Sequence, residues 1–181
     1  EELPEATVAY VRHIGPYAGH EALFKGLFER LFAWAGPRNL IRFPETQIIS
    51  IYHDDPEVTD EAKLRTSVGM TVPPDTNVSG EIGKLTLPSG AYAQARFELK
   101  PDQYPAAWEA VFGEWLPQSG YQPDDRPAFE RYLNNAEEHP ERNQGPPRHQ
   151  GSEGGADRLD RYLVAVRACD LGDGIDRGVL R

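Results

Sequence analysis

The chain has 181 residues, 39% of them hydrophobic, which suits one globular domain of two comparable halves. Its 29 acidic residues outweigh 19 basic ones to give a net charge of −10, a poor match for DNA or an anionic membrane. A single cysteine, Cys169, excludes an intrachain disulfide and a cysteine-built zinc site, and accords with a reducing cytoplasm, the location expected here. No apolar run approaches the roughly 18 residues of a spanning helix, so no membrane partner is expected. No signal peptide opens the chain, and its start without Met reads as a processed form or a piece of a longer protein.

In chain order, residues 7–17 alternate as a strand, with Val8, Tyr10 and Arg12 opposite Ala9, Val11 and His13, until Gly15-Pro16 breaks the pattern. Residues 20–36 carry the clearest helix. Leu23, Leu27, Leu31 and Trp34 form a stripe that Phe24, Phe28 and Phe32 widen, and Gly36-Pro37 ends it. Residues 46–56 are apolar on both faces, as for an inner strand, and close in a turn at Asp54-Asp55-Pro56. Residues 64–73 alternate cleanly and suit an antiparallel pairing with that strand. A similar order then recurs: a short strand, a break at Pro88-Ser89-Gly90, a longer strand to about residue 100, and a helix over 101–120. That helix has a stripe of Tyr104, Trp108, Val111, Phe112 and Trp115. Both halves read strand, helix, strand, a faint internal duplication.

Residues 129–133 form another strand, with Phe129, Arg131 and Leu133 facing away from Glu130 and Tyr132. Residues 136–157 hold, prolines aside, no apolar side chain larger than alanine and read as a disordered or mobile loop, with 141–157 as an insertion. Strand character returns at 158–168, and residues 169–181 read as a flexible tail.

Few patterns carry chemistry. The histidines show no metal-binding spacing, and no phosphate-binding loop, dinucleotide fingerprint or nucleophile elbow is present, so neither a metal nor a cofactor is expected. The acidic run 54–61 lacks the central glycine of a calcium loop and reads as a solvated turn. Glu130 remains, a carboxylate between aromatic residues in a strand that reads as interior. One reading has it face water or pair with an arginine such as Arg96. The other sets it in an aromatic pocket, where rings attract a lipophilic cation and the carboxylate supplies charge. There its pKa would rise, which also suits general acid–base work.

In this order and spacing, "VAYVRHIGPY" (8–17), "LFERLFAWAG" (27–36), "IYHDDPEVTDEAKLRTSVGMTVP" (51–73), "LPSGAYAQARF" (87–97), "WEAVFGEWLPQSGY" (108–121) and "FERYLNN" (129–135) resemble the GyrI-like small-molecule-binding domain. That family includes the SbmC gyrase inhibitors and the effector-binding halves of some AraC-type transcription regulators. The resemblance implies an α+β fold of two pseudo-symmetric halves, about 3–75 and 80–168 of a single domain 1–168. Each half would lay a helix on antiparallel strands, with a ligand cleft between them. It implies that Glu130 meets the ligand, and that Tyr52, Tyr92 and Tyr132 supply aromatic surface; by composition alone Tyr10, Trp34, Trp108 and Trp115 are also available to line a cleft.

The expected function is therefore binding of a small lipophilic or cationic molecule, alone or as an effector-sensing module in transcription regulation. A DNA-binding domain or gyrase is then a possible partner, without direct nucleic-acid binding by this chain. One alternative is a hydrolase of reactive small molecules, using Glu130 and Tyr132. Another is a gyrase-binding inhibitor. Two departures from the family stand out. Ser67 occupies a position that is often acidic, and 141–157 separates the last motif from its closing strand, here assigned to 159–166 with Asp160 near its start.

Overall fold

The computed structural model describes residues 1–99, 103–123, 126–133 and 160–170. Its strands are β1 (Glu2–Leu3), β2 (Ala6–Ile14), β3 (Ile48–Tyr52), β4 (Arg65–Thr71), β5 (Gly83–Leu87), β6 (Gly90–Leu99), β7 (Tyr121–Pro123), β8 (Ala128–Tyr132) and β9 (Asp160–Asp170). They form an antiparallel sheet in the order β1-β6-β9-β8-β3-β4-β2-β5, with β7 beside β9. Helix α1 spans Glu21–Ala35. A second helical run consists of α2 (Tyr104–Glu109), a π-helical stretch (Ala110–Trp115) and α3 (Leu116–Gln118).

The α+β architecture and its internal symmetry follow the sequence reading. Strands β2, β3 and β4 with α1 correspond to β6, β8 and β9 with the second helical run. The two halves meet at the β3–β8 pair, where Ser50 stands opposite Glu130. Strand β3 is an inner strand between β4 and β8, and its buried residues on both faces explain its unbroken apolar character.

Each face of the sheet has its own core. On the helix face, α1 presses Leu27, Phe28 and Leu31 onto Ala9, Val11, Ile48, Val68 and Met70. Beside them, Ala107 and Val111 of the second helical run pack on Val164. On the opposite face Val8, Ile49, Ile51, Leu87, Tyr92 and Phe129 cluster. Tyr10 on this face stands in register between Gly69 and Gly83. A Cβ at Gly83 would fall on its ring, so the glycine leaves room for the tyrosine to lie across the sheet.

Three details differ from the sequence reading. The second helix is interrupted by π-helical turns just before Pro117. Proline brings no N–H and crowds the carbonyl four residues back, and a wider turn relieves that crowding. Strand β9 runs four residues past 166. Its residues 169 and 170 pair with Gln122 and Tyr121, so Cys169 belongs to the sheet rather than to a tail. The short strands β1 and β7 were not anticipated, because two or three residues show no periodicity. The loop assigned to 141–157 and the tail beyond 170 lie outside the described residues.

The acidic run after β3 is consumed locally. Asp54 accepts from the side chain and backbone N–H of Arg65, and Asp60 caps the 3₁₀ turn Glu61–Lys63. No helix among the described residues is long and apolar enough to cross a membrane.

Candidate functional site

Strand alternation sends Glu130 and Tyr132 to the helix face and Phe129 to the opposite core, as the sequence pattern indicates. Glu130 is only 4% exposed. Its Oε1 accepts a hydrogen bond from Trp108 Nε1 at 2.7 Å, and its Oε2 accepts one from the Tyr52 hydroxyl at 3.0 Å. Both donors are neutral, and among the described residues no cation pairs with the carboxylate. Burial therefore governs its titration. It raises the pKa from 4.5 to about 7, although the hydrogen bonds from Trp108 and Tyr52 pull the other way. Burial and the adjacent carboxylate push the Tyr52 phenol well above its ordinary range, so Tyr52 stays protonated as a donor.

The surrounding surface is aromatic. Trp108 meets Tyr52 edge-on at 5.0 Å and stacks on Phe112 at 5.2 Å. Tyr17 tilts against Tyr52 at 5.5 Å, and Tyr132 meets Phe28 edge-on at 5.8 Å. These rings come from both helical runs, from β3 and β8, and from the turn after β2, so both halves of the fold contribute to the site.

The pseudo-symmetry reaches individual hydrogen bonds. Tyr52 bonds Glu130 diagonally across the β3–β8 pair, and Tyr132 bonds Ser50 by the mirrored diagonal at 3.1 Å. Ser50 is the positional equivalent of Glu130, and fully buried. Among the described residues the site thus has twofold scaffolding but a single carboxylate.

Glu130, Tyr132 and Tyr52 come together as the sequence reading expected, whereas Tyr92 and Trp115 do not. Tyr92 lies on the opposite face of the sheet, packed edge-on against Phe129 at 5.7 Å, with its hydroxyl donating to the Pro88 carbonyl at 2.8 Å. Trp115 stacks on Tyr121 at 6.2 Å. Seven residues separate Trp108 from Trp115, which in an α-helix would align them on one stripe. The intervening π-helical turns advance less per residue, so Trp115 lands off the stripe and Trp108 alone caps Glu130. The sequence reading held Trp108 available to line a cleft but chose Trp115 as the site residue, and the stripe with Tyr104 and Val111 was the signal that could have favoured Trp108. Tyr17 was missed, because a turn aromatic has no periodic context.

Ser67 turns away from this site. It sits on the opposite face, fully buried, within 2.9 Å of His53 Nε2, and accepts from Arg12 Nε at 3.3 Å. Burial, followed by the charges of Arg12 and Arg65, lowers the His53 pKa to about 4.

The model of a GyrI-like small molecule binding domain matches residues 1–144. Among sequence relatives, a DNA gyrase inhibitor of Edwardsiella piscicida is 39% identical over 139 residues, covering 74% of this chain and 84% of that protein. Among solved structures, the EcmrR C-terminal domain aligns with a TM-score of 0.66 at 15% identity, over 94% of this chain and 95% of that one. SAV2435 bound to tetraphenylphosphonium aligns with a TM-score of 0.54 at 12% identity, over 92% of each chain.

Proposed function

This chain belongs to the GyrI-like small-molecule-binding family, and from that premise we propose that it captures a small lipophilic cation at Glu130. The observation that carries this reading is a carboxylate buried among aromatic rings, with two neutral donors and no countercharge among the described residues. A buried carboxylate without a cation is costly, and a bound cation would offset that cost. The rings of Tyr52, Trp108, Tyr132 and Tyr17 would add cation–π attraction and apolar contact. Because Trp108 and Tyr52 cover Glu130, a ligand must displace at least one of their hydrogen bonds to reach it. The tetraphenylphosphonium held by SAV2435 is a cation of this class. The likeness to that protein is one of fold, so the assignment of charge rests on Glu130 itself.

The module would act in the cytoplasm as a sensor or a carrier, with any DNA-binding function on another segment or a partner. Titration with tetraphenylphosphonium, followed by tryptophan fluorescence, tests the reading. Wild type binds and Glu130→Gln loses about ten- to a hundredfold in affinity, the scale of a charge-assisted contact. Equal affinity in the two proteins would show that the carboxylate is structural.

A second reading draws on the gyrase-inhibitor name of the Edwardsiella relative: the acidic surface would touch gyrase. Retention of gyrase by the Glu130→Gln protein in a pull-down supports it, and absence of capture by either protein rejects it.

A further inference from the structure

The face of the sheet opposite Glu130 holds a groove that the cation site does not use. Its floor is apolar, made of Ile49, Leu87, Tyr92 and Phe129, and Arg131 stands at its wall. Strand alternation places Arg131 here by the same rule that turns Glu130 toward the helices. The Arg131 guanidinium is incompletely used. Its NH1 makes one long hydrogen bond to Gln47 Oε1 at 3.4 Å, while its buried Nε has no partner among the described residues.

A second buried donor, Gln94 Nε2, likewise has no partner among the described residues. Register places it on this face. Gln94 and Phe129 both pair with residue 165, just as Arg96 and Arg131 both pair with residue 163. Arg131 therefore lines the apolar floor, and Arg96 and Gln94 share its face of the sheet two strands away. Burial lowers the Arg131 pKa, the Glu1 carboxylate raises it, and Arg96 lowers it further. Among the described residues of the lining Glu45 is the acidic one, and it is exposed.

Buried N–H donors are rarely left unpaired, and those that are call for an explanation such as an absent acceptor. A carboxylate matches the planar fork of a guanidinium, and its apolar remainder would cover the floor. The groove holds about 180 Å³, close to the size of cavity that admits benzene, so the fitting molecule is small.

We propose that this groove is a second ligand site, for a small apolar carboxylate of about the size of benzoate, with Arg131 as its anchor. The protein then carries two sites of opposite charge preference on the two faces of one sheet, with the anchors adjacent in sequence.

Benzoate is the probe, and benzylamine is its cationic counterpart of similar shape. Amide shifts mapped on the wild-type protein are expected to saturate with benzoate at Ile49, Tyr92 and Phe129, and to leave Tyr52 and Trp108 unmoved. Benzylamine should not reproduce them. Arg131→Gln should weaken benzoate about ten- to a hundredfold, Arg131→Lys less, and Glu130→Gln not at all. Shifts that never saturate, shifts centred on Tyr52 and Trp108, or unchanged affinity in Arg131→Gln would overturn the proposal. The wild-type map decides the location by itself if a variant fails to fold.

Discussion

Glu130 is held at a cost to the stability of the fold. Its pKa is raised from 4.5 to about 7, so between those values the folded chain binds a proton that the unfolded chain has released. The unfolded state then holds fewer protons, and stability falls as pH rises through that window. Glu130→Gln removes the cost, so well above pH 7 the unliganded variant should be more stable than wild type by about 3 kcal/mol, and near pH 4 the two should converge. Urea melts at the two pH values measure this, and a destabilised variant at high pH would mean that the charge is paid for by contacts described above. Ligand binding should run the opposite way. A cation selects the ionised carboxylate, so its affinity should rise from pH 6 to pH 8, and an affinity flat across that range would argue against Glu130 as the counter-ion. His53 adds a separate dependence. Its pKa of about 4 lies below the usual 6.5, so the unfolded state binds the extra proton and stability declines as pH falls through that range.

At the level of elements, the π-helical stretch and the glycine pair around Tyr10 set the geometry. Trp108 precedes the π turns and reaches Glu130, whereas Trp115 at their end stacks on Tyr121 of β7. Trp108→Phe keeps an aromatic ring but loses the Nε1 donor. It should therefore raise the Glu130 pKa further, which a shifted midpoint in the pH dependence of cation affinity would reveal. An unmoved midpoint would show that the 2.7 Å contact contributes nothing to the titration. In the sheet, Gly83→Ala places a methyl group on the Tyr10 ring, and overpacking of this kind typically costs about 1–3 kcal/mol. Gly83→Ala in a Tyr10→Ala background should be far milder. A cycle with no coupling between the two positions would mean that the ring moves freely aside.

For the whole molecule, β9 decides whether the second half is complete. It pairs with both β6 and β8 and buries Val164 against the second helical run. A chain ending at residue 158 would leave both strands with unpaired edges, and such edges invite association. That chain should aggregate or lose its cooperative melt, as size-exclusion chromatography and thermal unfolding would record. A monomer with an unchanged melting temperature would show that the two halves do not depend on this strand.

Much of this was legible in the residues. Alternation in a strand and the stripe of a helix are local properties, and they correctly sent Glu130 and Tyr132 one way and Phe129 the other. The order of motifs led to the right family and to an α+β fold of paired halves. The partners of Glu130 were less legible, because Tyr52, Trp108 and Glu130 are far apart in sequence and meet only through the pairing of β3 with β8 and the packing of the second helical run. Tyr92 was misplaced because alternation says which residues share a face but not which face of another strand they join. Trp115 was misplaced because a π-helical turn breaks the period on which the stripe was read. By itself, then, the sequence determined which residues lie together within each element and which family the chain resembles. Only the tertiary structure decided which faces meet, and so which rings enclose the carboxylate, because contacts between distant segments depend on sheet order and helix phase rather than on local periodicity.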